Sequence, residues 1–162
     1  MEPIRICIEP YSNMKDHLKH RETIANWIYN EFIRNIRHGI TYENVYSRFE
    51  AGRPGCLPMH FVALDKETGA CVGTVSLVEN DLKCRNYIPW LASLVVDKTC
   101  RNRGIGRLLI ETVKNAAWDL GYETLYLRTE TAGGYYRKLG WQYVEQCVDE
   151  YGLEPEVYRW DK

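Results

Sequence analysis

The stretch Leu94-Val95-Val96-Asp97-Lys98-Thr99-Cys100-Arg101-Asn102-Arg103-Gly104-Ile105-Gly106-Arg107-Leu108-Leu109 decides how this chain folds. Leu94 to Val96 is an apolar run with the character of a buried strand. Ile105, Leu108 and Leu109 open an amphipathic helix. Between them lies a short basic loop that contains Gly104 and runs into Gly106. The first turn of a helix leaves backbone N–H groups unpaired and carries the positive end of the helix dipole. Glycine there lets an anion reach the backbone with no Cβ in the way. Lys98, Arg101, Arg103 and Arg107 add four cations within ten residues. Strand, cationic glycine loop and helix read together as a phosphate site. A plain tight turn with solvated arginines leaves that concentration of charge unexplained. No G-K-[ST] follows, and the third glycine of the dinucleotide fingerprint is missing.

The pattern extends outward on both sides. Downstream, Ile105, Leu108, Leu109, Val113, Ala116, Ala117 and Leu120 form one stripe of a long helix beginning near Gly104, with Gly121 as its stop. Thr124 to Thr129 reads as a strand and Gly134 to Leu139 as a short helix. Tyr143 to Val148 and Val157 to Trp160 read as two closing strands joined across Gly152 and Pro155. Upstream, Tyr87 to Asp97 is the most apolar strand, which suggests a central position. His60 to Leu64 and Cys71 to Val78 pair as a hairpin across the polar turn Asp65 to Gly69. Gly52, Pro54, Gly55 and Pro58 mark a loop. A short helix spans Tyr42 to Phe49. Ile24, Trp27, Ile28, Phe32 and Ile36 share one helical face, and Ile4 to Ile8 alternates as a strand. The expectation is an α/β (α+β) domain covering 1–162, a mixed sheet with helices on its faces.

Composition bounds the function. A chain of 162 residues fits one domain, and its net charge of -1 gives no field favouring nucleic acid or an anionic membrane. The apolar runs fall far short of the roughly 20 residues a membrane span needs. No basic region followed by a long apolar run opens the sequence, so no signal peptide is expected. The six cysteines show no C-x-x-C spacing and read as reduced thiols of a cytoplasmic protein. His17 and His20 share a helix spacing without a ligand set to complete a metal site, and no metal is expected.

Arg101-Asn102-Arg103-Gly104-Ile105-Gly106 matches [RQ]-x-x-G-x-[GA] at every defined position. Ala132, Tyr136, Gly140 and Trp141 match A-x-x-x-Y-x-x-x-G-[FW] farther along. In both motifs, and in the order of elements between them, the sequence resembles the GNAT superfamily of N-acetyltransferases. The resemblance implies a mixed, mostly antiparallel sheet of about seven strands flanked by helices. It implies acetyl-CoA as cosubstrate, with the backbone of Leu94, Val95 and Val96 beside the pantetheine arm. The loop of Arg101, Asn102, Arg103, Gly104, Ile105 and Gly106 would hold the pyrophosphate, with Arg107 adding charge. Tyr136 would sit near the coenzyme sulfur and protonate the leaving thiolate. Many relatives carry an asparagine where Thr129 stands, which places Thr129 with the coenzyme residues. Many also carry a glutamate base in the fourth strand, whereas Trp90-Leu91-Ala92-Ser93-Leu94 has no carboxylate.

A protonated amine must lose a proton before it attacks, so carboxylates at strand ends are the candidate acceptor groups. These are Glu79, Glu130, Asp149, Glu150 and Glu154, each also readable as a solvated surface charge. Glu79, or a water ordered by Glu79 or Ser93, is the expected base. Tyr42, Tyr46 and Trp90 are aromatics that either stack on the acceptor or pack inside, and the loops Gly39–Tyr42 and Gly52–Pro58 are expected to wall its cleft. The expected reaction is direct acetyl transfer to a primary amine, a small molecule or a peptide N-terminus, by a monomer or homodimer. The competing function is a non-catalytic module that senses acyl-CoA, favoured by the missing strand carboxylate and opposed by Tyr136.

Overall fold

The computed structural model describes residues 3–12, 15–50 and 55–162. Its strands are β1 (Ile6–Pro10), β2 (Met59–Asp65), β3 (Cys71–Val78), β4 (Trp90–Val96), β5 (Thr124–Thr129), β6 (Gln142–Gln146) and β7 (Glu156–Asp161). They form one sheet in the order β1-β2-β3-β4-β5-β7-β6. β4 and β5 run parallel and every other neighbouring pair is antiparallel. The helices are α1 (Lys15–Leu18), α2 (Arg21–Ile28), α3 (Tyr42–Ser47), α4 (Ile105–Asp119) and α5 (Gly133–Lys138).

Alternation along the strands divides the side chains between two faces. On one face, Val75, Leu77, Leu91, Leu125, Leu127 and Tyr158 pack against Ile105, Leu109, Ile110 and Val113 of α4. Tyr136 and Trp141, from α5 and the residues after it, join the same cluster. On the other face, Ile24, Ala25 and Ile28 of α2 and Val45 of α3 cover Val62. Leu82, Trp90 and Val157 form a smaller cluster farther along that face.

Most elements shift by one or two residues at their ends, and three boundaries differ from the sequence reading for a visible physical reason. β1 begins at Ile6 rather than Ile4, because pairing with β2 sets the register of this edge strand, Ile6 opposite Asp65 and Pro10 opposite Phe61. The helical face through Ile36 ends early. α2 loosens into a π-turn over Tyr29–Ile33, closed by Arg34 N–H donating to the Tyr29 carbonyl at 2.7 Å. Arg34 leaves the helical region and Asn35 takes φ 61°, so Ile36 falls outside the helix. β4 begins at Trp90 rather than Tyr87, since Pro89 has no N–H for a ladder and offers only its carbonyl, to Tyr126 N–H at 3.0 Å. All six cysteines are free thiols. Among the described residues no helix is long and apolar enough to cross a membrane.

Candidate active site

The central strand is irregular where chemistry is expected. Opposite β3, Thr74 faces Val95 and Ser76 faces Ala92, so Ser93 and Leu94 together oppose Val75 alone. Ser93 takes φ 56° to make this bulge, a conformation seldom adopted by a residue with a Cβ and characteristic of functional sites. On the other side of β4, the ladder to β5 is the single pair Trp90–Tyr126 among the described residues. Beyond that pair the two parallel strands part and leave a gap in the sheet.

Strand alternation shows which backbone groups line the gap. Asp97 N–H donates to the Val72 carbonyl at 2.8 Å, toward β3. The backbone of Val95 then also turns toward β3, while Leu94 and Val96 turn toward β5 and the gap. Arg101 Nε donates to the Val96 carbonyl at 3.2 Å on that side.

The gap leads to the basic loop. The Asp97 carboxylate accepts from Thr99 N–H at 2.9 Å and from its hydroxyl at 2.6 Å, fixing a 3-10 turn over Lys98–Cys100. The Thr99 hydroxyl bond is the main cause holding the Asp97 carboxyl below its ordinary value. Asn102 and Gly104 take φ 62° and 78°, bending the chain back into α4. Gly104 is the N-cap and has no side chain to bond the first-turn amides. Those N–H groups therefore face outward, as an anion site needs. Lys98, Arg101, Arg103 and Arg107 are all exposed around them. A Cβ on Gly106 would lie 3.4 Å from the Tyr135 hydroxyl, so Tyr135, absent from the sequence reading, hangs over the first turn of α4.

Tyr136 is 8% exposed and packs edge-on to Trp141 and Tyr135, with ring centroids 6.0 and 5.3 Å away. Its hydroxyl has no hydrogen-bond partner among the described residues, and burial pushes its pKa well up. It stays protonated at neutral pH, as a proton donor must. Thr129 is buried, and its hydroxyl accepts from Ala132 N–H at 2.9 Å, capping the turn into α5.

The acceptor candidates separate. Glu79 lies exposed just past β3. Glu130 and Asp149, readable in the sequence as solvated charges, converge on Arg128, whose Nη2 reaches an oxygen of each at 2.6 Å. Arg37 adds a second cation at 3.2 Å from Glu130. Burial would raise the Asp149 carboxyl, but bonds from Arg128 and from the N–H groups of Leu153 and Tyr151 outweigh it and hold it low. Glu150 and Glu154 are exposed in the β6–β7 connection. Trp90 is fully buried, and Tyr42 and Tyr46 pack against each other with centroids 6.0 Å apart. Gly52 and Pro54 lie outside the described residues. The sequence reading missed Arg128 and Arg37, which meet the Glu130 and Asp149 carboxylates, and the buried pair His60–Ser76, joined at 2.6 Å between β2 and β3. They meet only through the fold and leave no local pattern.

The comparisons agree with this geometry. The chain has the fold of an acetyltransferase of the GNAT family from Staphylococcus aureus Mu50, at 18% identity and TM-score 0.72 over 97% of this chain and 99% of that one. It superposes equally on an aminoglycoside 6'-N-acetyltransferase complexed with coenzyme A, at 14% identity and TM-score 0.73 over 96% of each chain. The protein yncA from Salmonella typhimurium, solved with acetyl-CoA, gives 16% identity and TM-score 0.70 over 97% and 94%. No curated protein matches the sequence. The family profile described as acetyltransferase (GNAT) domain matches residues 58–143, from just before β2 to the start of β6, and so spans the bulged strand, the gap, the basic loop and α5. The chain therefore belongs to the GNAT family of acetyltransferases.

Proposed function

We infer that this protein binds acetyl-CoA along the β4–β5 gap and transfers its acetyl group directly to a primary amine. The observation that carries this reading is the bulged, half-unpaired β4 leading into the uncapped, cationic N-terminus of α4. The first-turn amides and the arginines hold the pyrophosphate. The backbone of Leu94 and Val96 faces the pantetheine arm, and the Leu94 amide lies where a thioester oxygen gains charge. The amine nitrogen attacks the thioester carbon, and collapse breaks the carbon–sulfur bond. Tyr136 gives its proton to the departing thiolate and regains one from the nitrogen. The acceptor is a small amine or a peptide N-terminus, admitted from the face that α2 and α3 cover. No cysteine lies in the matched motifs, which favours one ternary complex over an acetylated enzyme.

Tyr136→Phe removes the proton donor and keeps the buried ring. We expect kcat to fall by about 10²–10⁴-fold with acetyl-CoA affinity retained. Turnover within about twofold of the parent would take Tyr136 out of the acid role. Parallel double-reciprocal lines, or acetyl label held on the protein, would overturn direct transfer.

A further inference from the structure

On the α2 face, the Asp81 carboxylate has no hydrogen-bond partner among the described residues. Asp81 lies in the β3–β4 connection, and Leu82 beside it is fully buried with Trp90 and Val157. Asn80 Nδ2 ties the same segment to the carbonyls of Leu82 and Arg85, at 3.2 and 2.8 Å. Arg128 from β5, Arg37 from the segment after the π-turn and Arg48 from the end of α3 all act on Asp81 electrostatically. The side-chain hydrogen bonds of Arg128 and Arg37 go to other groups than this carboxylate. Arg128 bonds Glu130 and Asp149, and its Nη1 donates to the backbone carbonyl of Asp81 at 3.5 Å. Arg37 bonds Glu130 and the Phe32 carbonyl. Among the described residues no donor reaches the Asp81 carboxylate. Asp81 is half-buried, and a carboxylate drawn partly out of water for structure alone would take such bonds, because leaving it unbonded is costly.

The position is also specific. Trp90 and Tyr126 close the β4–β5 ladder, and Arg128 follows on the same face of β5, beside the gap. Arg128 Nη1 lies 3.5 Å from the Asp81 carbonyl, so the Asp81 segment meets the Arg128 side chain on the α2 face, whereas Tyr136 packs on the α4 face. We propose that Asp81 is the base of the transfer, binding the acceptor's ammonium group and taking one proton from it. This rests on the acetyl-transfer reading above and supplies the carboxylate that β4 lacks. The step balances. The ammonium gives one proton to Asp81, which later releases it to solvent. The neutral amine forms the carbon–nitrogen bond, and its second proton ends on the sulfur by way of Tyr136. Burial pushes the Asp81 carboxyl up to about 6, Glu130 pushes the same way, and Arg128, Arg37 and Arg48 pull it down. A base needs its pKa close to working pH, with its lone pairs free.

The test compares the parent with Asp81→Asn, using acetyl-CoA and the best acceptor from a primary-amine panel, over roughly pH 5 to 9. Parent kcat/KM should rise with pH through about 6. Asp81→Asn should lower kcat by about 10²–10⁴-fold near neutral pH. Its rate should lose that inflection and climb steadily with pH as the amine deprotonates unaided, while calorimetric acetyl-CoA affinity stays at the parent value. If the variant does not fold, the parent profile decides, and the lack of any inflection near 6 overturns the proposal. A folded Asp81→Asn within about twofold of the parent overturns it and leaves acetyl transfer intact. A parent that acetylates no amine overturns the transfer reading itself, and this assignment with it.

Discussion

His60 is buried and Asp81 half-buried on the α2 face, and desolvation moves them in opposite directions. Burial pushes the His60 imidazole down to about 4, against a smaller upward pull from the Arg48 backbone. The folded histidine is then neutral in a range where the unfolded one, near 6.5, is charged. The unfolded state binds more protons, so stability falls as pH drops from about 6.5 to about 4. Asp81 acts in the reverse sense. Its folded carboxyl keeps a proton that the unfolded group, near 3.8, has lost, so stability rises as pH falls from about 6 to about 4. The two partly offset in the parent. His60→Gln keeps a polar partner for Ser76 and removes only the histidine's share. Urea unfolding at pH 7 and about 4.5 should show the parent losing about 2–3 kcal/mol more than the variant. Equal losses would mean that the native imidazole titrates as if in water.

At the scale of elements, the turn into α4 carries the coenzyme assignment. Gly104 holds φ 78°, and a Cβ there would meet nothing within 4 Å. Gly104→Val would therefore strain the backbone by about 1–2 kcal/mol without a clash in the fold. The added branch would cover the first-turn amides to which we assign the phosphates. Calorimetric coenzyme A affinity should drop at least about tenfold while the domain remains folded. Unchanged affinity in a folded variant would contradict the phosphate loop. This element was legible in the sequence, because apolar periodicity, glycine and clustered cations are local signals. The bulge at Ser93 was not, since nothing in Leu91-Ala92-Ser93-Leu94 requires φ 56°, and the register against β3 imposes it. The end of α2 was misread for a similar reason. Ile36 continues the apolar period, but the π-turn and Asn35 break the helix first.

At the scale of the molecule, the sheet opens between β4 and β5 with different chemistry on its two faces. Tyr136 lies with α4 and α5, and Asp81 lies with the arginines near α2 and α3. The two motifs placed the first of these in the sequence. They could not place the second, because Arg37 and Glu130 meet across 93 residues and Asp81 sits in an irregular connection with no periodicity. The reading of Asp149 as solvated failed on the same ground, since it is buried against a cation that arrives from elsewhere in the fold, whereas Glu130 stays exposed while pairing with the same arginine. The measurement that bears most directly on the whole account is a turnover screen. The protein is given acetyl-CoA with polyamines, aminoglycosides, amino acids and short peptides, and free thiol and acetylated product are both followed. The account predicts that at least one primary amine yields N-acetylated product in step with thiol release. Coenzyme A binding without turnover of any amine would contradict it and leave a sensing module in its place.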